Sequence, residues 1–209
     1  MILIGGYGSP FARRIAITLC HYGIPFTHSH LSTQTDRAEI ARLNPLVRIP
    51  TLVLDDGEVL TDSFAIVDHL DEVVDEARAL MPRSGAQRRA VLRVTALAAG
   101  MADKSVALYY EHMMHDVPSA AWSERCRGQV EDTLAALEAD RAQGGDAFWF
   151  GPALSHADIT LACGVRFTRR AHAGLFDATR YPALAAHAAR CEALEAFRQC
   201  EPPPPAPAR

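Results

Sequence analysis

A chain of 209 residues that is 49% hydrophobic and carries a formal charge of −4 holds enough apolar side chains for one large core or two small ones. It has no basic block interleaved with aromatics, no apolar run of the ~18 residues a membrane span needs, and no basic leader with a cleavage site, so no nucleic acid, no membrane and no signal peptide are expected. Its five cysteines, Cys20, Cys126, Cys163, Cys191 and Cys200, are odd in number and lack Cys-x-x-Cys or zinc-ligand spacing, which fits thiols in a reducing cytoplasm.

Met1 to Ile4 reads as a short buried strand. Ser9 and Pro10 then take the N-cap and first helical positions, and Phe11, Ile15, Leu19 and Tyr22 recur on one helix face. Ser9 has two readings. It is a cap alone, or it is a hydroxyl held beside exposed N–H groups at the positive end of a helix, where an anion is stabilised. Gly23 predicts the helix end. Pro25 to Leu31 reads as a second strand. Asp36 with Glu39 predicts a capping box and a short helix to about Leu43, stopped by Asn44-Pro45. Thr51–Leu54 and Val59–Thr61 are strand-like runs joined through Asp55-Asp56-Gly57, a hairpin signal. Asp62-Ser63 opens an amphipathic helix through Phe64, Ile66, Val67, Leu70 and Val74. The order β-α-β-α-β-β-α implies a mixed sheet with helices on both faces.

A composition break at Met81-Pro82-Arg83-Ser84-Gly85 marks a linker, and strand signals end there. Val91, Val94, Ala98, Met101, Ser105, Leu108 and His112 describe one helix face. Trp122, Cys126, Val130, Leu134 and Leu137 describe another, ended by Gly144-Gly145. Ser155-His156-Ala157-Asp158 is a capping box opening a helix through Ile159, Leu161, Ala162 and Val165. Pro182 to Phe197 gives one or two short helices. The expected division is an α/β domain over residues 1–80, a linker over 81–86, an all-helical domain over 87–200, and a disordered Pro-rich tail over 201–209.

Four pieces of the first half, in this order and spacing, resemble the glutathione S-transferase family: Ser9-Pro10-Phe11-Ala12-Arg13-Arg14, Asn44 to Leu52, the Asp56-Gly57 hairpin, and Asp62-Ser63-Phe64-Ala65-Ile66. Ser155-His156-Ala157-Asp158-Ile159 is similar to that family's capping box in the helical domain. The first helix looks most like that of bacterial serine-type members. The resemblance implies a thioredoxin-like α/β N-terminal domain, an all-α C-terminal domain, a cytoplasmic homodimer, and a role in detoxification. Glutathione is implied as co-substrate, with no permanently bound cofactor.

On that resemblance the thiolate of glutathione is the anion, and Ser9 is its hydrogen-bond donor, with Tyr7 as the alternative catalytic residue. A hydroxyl donor to a charged acceptor is worth about 1.5–3 kcal/mol and a helix N-terminus roughly 0.3–1 kcal/mol. Lowering a thiol pKa by two units takes about 2.7 kcal/mol, so the two together suffice. Ile49 before a cis Pro50 is implied to pair its backbone with the cysteinyl part of glutathione, as an added strand does. Asp62 and Ser63 would hold the γ-glutamyl end at a helix start, and Arg48 would lie near a carboxylate. Without the resemblance, Asp62 and Ser63 are ordinary caps and Pro50 an ordinary strand opener.

A second-substrate pocket for a small hydrophobic electrophile is expected from Phe11, Tyr109, Tyr110 and Met113, with Trp149 as a further apolar wall; the rival reading is plain core packing. Arg13 and Arg14 would add positive potential at the glutathione site, with one of them solvated. His112 and His115 lack a third ligand, so no metal is expected. The leading function is a glutathione transferase. Alternatives are a glutathione-dependent isomerase, dehalogenase or peroxidase, or a catalytically weak glutathione-binding module.

Overall fold

The computed structural model describes residues 1–202. In chain order the elements are β1 (Ile2–Ile4), α1 (Pro10–Tyr22), β2 (Thr27–Ser29), α2 (Arg37–Leu43), β3 (Thr51–Val53), β4 (Val59–Thr61), α3 (Ser63–Glu72), α4 (Gly85–Met114), α5 (Ala120–Ala142), α6 (His156–Ala171), α7 (Pro182–Glu192) and α8 (Glu195–Gln199). They form two compact units. The first is Met1–Pro82 together with the stretch from Leu194 onward, and the second is Arg83–Ala193. The last helix therefore leaves the helical domain expected over 87–200 and joins the α/β unit. Residues 85 and 86 of the expected linker belong to α4. The tail expected to be disordered falls, beyond Pro202, outside the described residues.

The sheet of the first unit has the order β2-β1-β3-β4. β1 and β2 are parallel, with Leu3 opposite His28, because α1 carries the chain back to the same sheet end. β3 runs antiparallel to both β1 and β4, with Leu52 opposite Leu3 and Leu60. The sheet is thus mixed, as the element order predicts. β2 is shorter than the run from Pro25, since its first ladder donor is the Thr27 N–H on the Met1 carbonyl.

α1 ends where Gly23 adopts φ 68° and ψ 26°, a left-handed cap that a Cβ would disfavour. The preceding Tyr22 fastens that end: its hydroxyl bonds the Asp71 carboxylate and accepts from the Leu80 N–H at 2.8 Å. The capping box expected at Asp36 does not form. The Asp36 carboxylate turns back to accept from Ser32 N–H and Thr35 Oγ1, both at 2.8 Å, and caps that turn instead of α2.

In the second unit the expected faces of α4, α5 and α6 are buried, from Val91 to Leu108, from Cys126 to Leu137, and from Ile159 to Val165. Two residues leave those faces. His112 is exposed, and Trp122 is 39% exposed at the start of α5. Asp158 organises the polar part of this core. Its Oδ2 accepts from Ser155 N–H at 2.7 Å and Ser155 Oγ at 2.5 Å, and its Oδ1 faces Trp149 N–H at 2.8 Å and His187 Nε2 at 3.1 Å. One carboxylate thus caps α6, fixes the α5–α6 loop and holds α7.

Truncation by Asp158→Ala leaves buried donors without partners, and should lower unfolding stability by about 3 kcal/mol in urea titration. A second expectation concerns pH. His172 is held neutral by burial, with Nε2 2.8 Å from the Ser105 carbonyl, so its pKa lies below 6.5. The unfolded chain takes up that proton first. Stability from this residue is therefore full above about pH 6.5 and declines as pH falls below it. In denaturation measured across that range, His172→Gln should flatten the decline.

Candidate functional site

Three segments of the first unit converge on the opening turns of α1. β1 runs into Gly5, whose φ is 123°. A Cβ built there would lie 2.7 Å from Ile49 Cβ and 3.2 Å from Ala12 Cβ, so only glycine lets Ile49 settle against this part of the chain. Ser9 caps α1 with φ −76° and ψ 127°, and its Oγ accepts from the Ala12 N–H at 3.3 Å. Ser9 is half-buried, and among the described residues no acceptor takes its hydroxyl hydrogen. The hydroxyl is therefore oriented by the helix and available to donate outward.

The loop carrying Ile49 is held by one side chain. Asn44 is buried at the end of α2. Its Nδ2 donates to the Arg48 carbonyl at 2.9 Å and to Thr51 Oγ1 at 3.3 Å, and its Oδ1 accepts from the Leu46 N–H at 3.1 Å. The Thr51 hydroxyl donates to the same Arg48 carbonyl at 3.2 Å. Within this clamp Val47 takes a φ of 51°, which a β-branched residue rarely adopts, and the Ile49–Pro50 bond is cis. Ile49 lies outside the β3 ladder, and no described residue uses its N–H or C=O. An open donor and acceptor beside a strand are part of what adding a strand requires. The Arg48 side chain is exposed.

α3 begins at the third segment. Asp62 has φ 67° and ψ 132°, a positive-φ conformation outside the left-handed helical well, and its Oδ1 accepts from the Phe64 N–H at 2.8 Å. Asp62 is exposed while Ser63 is buried. The Ser63 carbonyl accepts from an Arg14 guanidinium nitrogen at 3.1 Å, and the same guanidinium sits 4.5 Å above the Phe64 ring. α1 thereby places the start of α3. The expectation that one of Arg13 and Arg14 is solvated is corrected. Both are 1% exposed, because each guanidinium serves backbone carbonyls inside the unit. Arg13 donates to the Cys200 carbonyl at 2.9 Å and the Phe197 carbonyl at 3.3 Å.

Tyr7 turns toward a different part of the unit. Its ring stacks on His28 at 4.0 Å and 5° between planes, and its hydroxyl bonds the Cys200 thiol. Burial and the nearby thiols push its pKa up, so it stays a neutral phenol. Phe11 is half-buried in the first unit. Tyr109 and Met113, each 38% exposed, and half-buried Tyr110 lie on α4 in the second. Tyr109 meets Tyr110 and Phe167 edge-on at 5.7 and 6.1 Å. Trp149 is set apart from them, against His187 at 5.6 Å. His115 pairs with Glu111 at 3.2 Å.

Asn44 reads from sequence as a helix stop, and its role as clamp was missed. The available signal is an Asn before Pro with a hydroxyl seven residues on, at Thr51. Gly5 and Arg14 gave no local signal, because their partners Ile49 and Ser63 lie more than forty positions away.

Residues 8–73 match the family model of the glutathione S-transferase N-terminal domain, and residues 120–190 that of its C-terminal domain. The uncharacterised GST-like protein YibF of Escherichia coli K12 is 31% identical over 97% of this chain and 99% of its own. The chain belongs to the glutathione S-transferase family. A probable maleylacetoacetate isomerase of Vibrio cholerae is 32% identical over 97% of this chain and 95% of its own. Among solved structures, a glutathione S-transferase of Methylobacillus flagellatus with glutathione bound superposes with a TM-score of 0.89 at 28% identity, over 97% of this chain and 99% of that one. A glutathione transferase family member from Pseudomonas fluorescens Pf-5, also with bound glutathione, gives 0.83 at 29%, over 97% and 98%.

In this glutathione S-transferase the clamp is separable from the fold. Asn44→Ala removes three hydrogen bonds at the cost of about 2 kcal/mol of stability. Amide hydrogen exchange should accelerate at Leu46 and around Thr51 more than at Leu52 and Val53. Uniform acceleration across β3 would show that Asn44 holds the sheet rather than the loop.

Proposed function

We propose that the protein binds glutathione along the Ile49 edge and the start of α3, stabilises its thiolate with Ser9, and directs it at a small hydrophobic electrophile. The observation that carries this reading is the convergence of an open backbone edge, a free-donating hydroxyl and a helix N-terminus on the first two turns of α1. The Ile49 N–H and C=O would pair with the cysteinyl residue. The α3 N-terminus and Ser63 would take the γ-glutamyl carboxylate, where helix N–H groups favour an anion. Asp62 Oδ2, not used in capping Phe64, would face the ammonium, and Arg48 would approach a carboxylate.

Ser9 is too weak an acid and base to remove the thiol proton. It lowers the pKa by donating to the charged form, and the proton leaves to water. Tyr7 is disfavoured for this role because its hydroxyl is engaged by the Cys200 thiol. The electrophile would contact the α4 side chains Tyr109, Tyr110 and Met113. Glutathione acts as co-substrate with no other cofactor, in a cytoplasmic homodimer with a detoxifying role, built as an N-terminal glutathione domain, a linker and a helical domain.

Ser9→Ala should raise the pKa of bound glutathione by about 1–2 units, equivalent to the 1.5–3 kcal/mol of one hydroxyl donor to a charge. It should lower kcat/KM for an aryl halide roughly tenfold to hundredfold at neutral pH, with glutathione affinity little changed. Thiolate absorbance against pH measures the first, and initial rates the second. Unchanged turnover in Ser9→Ala with loss in Tyr7→Phe would reverse the assignment.

The relatives named as maleylacetoacetate isomerases support a second reading, in which the thiolate adds to a cis double bond, permits rotation and departs. Product mass separates the two, since a transferase leaves glutathione in the product and an isomerase releases it. A binding module would give neither product while still being stabilised by glutathione.

A further inference from the structure

Cys20 and Cys200 are 180 positions apart in sequence, yet their sulfurs lie 3.6 Å from each other. Neither belongs to the machinery described above. Cys20 sits half-buried in the last turn of α1, and Cys200 is fully buried directly after α8. The surroundings fix Cys200 from two sides. Its carbonyl accepts from Arg13 Nε at 2.9 Å, and its thiol bonds the Tyr7 hydroxyl. A disulfide holds its sulfurs at about 2.05 Å, so closing the pair means drawing together two sulfurs that already lie 3.6 Å apart.

We propose that Cys20 and Cys200 are a redox-active thiol pair, in which Cys20 attacks a low-molecular-weight disulfide and Cys200 resolves the adduct into an internal disulfide that fastens α8 to α1. The roles follow from access. Cys20 is the sulfur that solvent reaches, and Cys200 is the fully buried sulfur beside it. Hydrogen bonding from Cys200 outweighs burial and brings the Cys20 thiol down to about 7, so much of it is thiolate at neutral pH. The other cysteines are set apart. Cys126, Cys163 and Cys191 are buried in the second unit, and burial pushes Cys126 and Cys191 up.

With glutathione disulfide the chemistry balances in two displacements. The Cys20 thiolate attacks one sulfur, the S–S bond breaks, and a glutathione thiolate leaves. The Cys200 sulfur then attacks Cys20 Sγ, its proton going to the second departing glutathione thiolate. Two electrons pass from the two protein thiols to the reagent, giving one protein disulfide and two glutathiones.

The test uses the full-length protein with excess glutathione disulfide at neutral pH, followed by denaturing alkylation and non-reducing peptide mapping. Wild type should yield a Cys20–Cys200 cross-linked peptide and a mass lower by two hydrogens, with Cys126, Cys163 and Cys191 alkylated. Cys200→Ser should stop at a glutathionyl group on Cys20, and Cys20→Ser should leave Cys200 unmodified. Should Cys200→Ser not fold, native maleimide labelling of the wild type decides, since oxidation should slow labelling of Cys20 at least tenfold. A glutathionyl group persisting on wild-type Cys20, modification centred on another cysteine, or full alkylation of all five would overturn the proposal. None of these outcomes bears on Ser9 or on the transferase reading.

Discussion

Two fully buried guanidinium groups on one helix are the constraint around which the first unit is arranged. A buried charge without compensation is prohibitively unfavourable, so the fold has to bring acceptors to Arg13 and Arg14. It does so from two distant parts of the chain. Arg13 collects the carbonyls at the C-terminal end of α8, and Arg14 takes the Ser63 carbonyl and covers the Phe64 ring. Carbonyls at a helix end carry partial negative charge, which makes them suitable partners for a cation. The consequence for function is positional. α1 supplies the Ser9 hydroxyl at its start and fixes the beginning of α3 through its second turn. The two parts of the proposed glutathione site, Ser9 and Asp62-Ser63, are therefore both fixed by α1.

The second unit meets the same constraint with the opposite sign. Asp158 is fully buried, and its four oxygen contacts come from a cap, a loop and a helix. Cys191 lies 3.7 Å from His187 Nε2, so cysteine, histidine and aspartate form a row like that of a nucleophilic triad. The chemistry does not follow. The nitrogen near Cys191 is the one that faces Asp158, so the hydrogen on Nε2 is directed to the carboxylate and that nitrogen does not serve the thiol as a base. Burial and the Asp158 charge push the Cys191 thiol up, away from the thiolate. The row is a structural hub.

What the sequence disclosed and withheld follows from the range of each interaction. The Ser9 cap, the Gly23 terminus, the Asp55–Gly57 turn and the Ser155–Asp158 box are each set within a few residues, and pattern reading reaches them. Asp36 failed at the same range because two local acceptor roles competed, and the turn donors at Ser32 and Thr35 won over the helix. Arg13 and Arg14 were misread because an arginine beside a helix start looks solvated until its partners, 49 to 187 positions away, are placed. α8 was assigned to the helical unit for the same reason. Five residues of helix carry no record of which core they join, and the contacts of Arg13 with Phe197 and Cys200 tie them to the first unit.

Tyr7 shows how that long-range arrangement narrows the chemistry. Near the end of the first strand it has the position and the hydroxyl to compete with Ser9. Stacked on His28 and bonded to the Cys200 thiol, it is instead committed to the junction of β2, α1 and the C-terminal segment. Ser9 has the complementary status: its oxygen accepts from the helix, and its hydrogen has no acceptor among the described residues. A donor whose acceptor is absent stabilises an incoming anion without first breaking an internal bond, whereas a phenol already paired to a buried thiol would have to break one. The contact that engages the Tyr7 hydroxyl also helps to hold Cys200 beside Cys20, so the two sulfur steps proposed above lie in one unit. At Ser9 the proposed thiol would come from the ligand, and at Cys20 the chain would supply it.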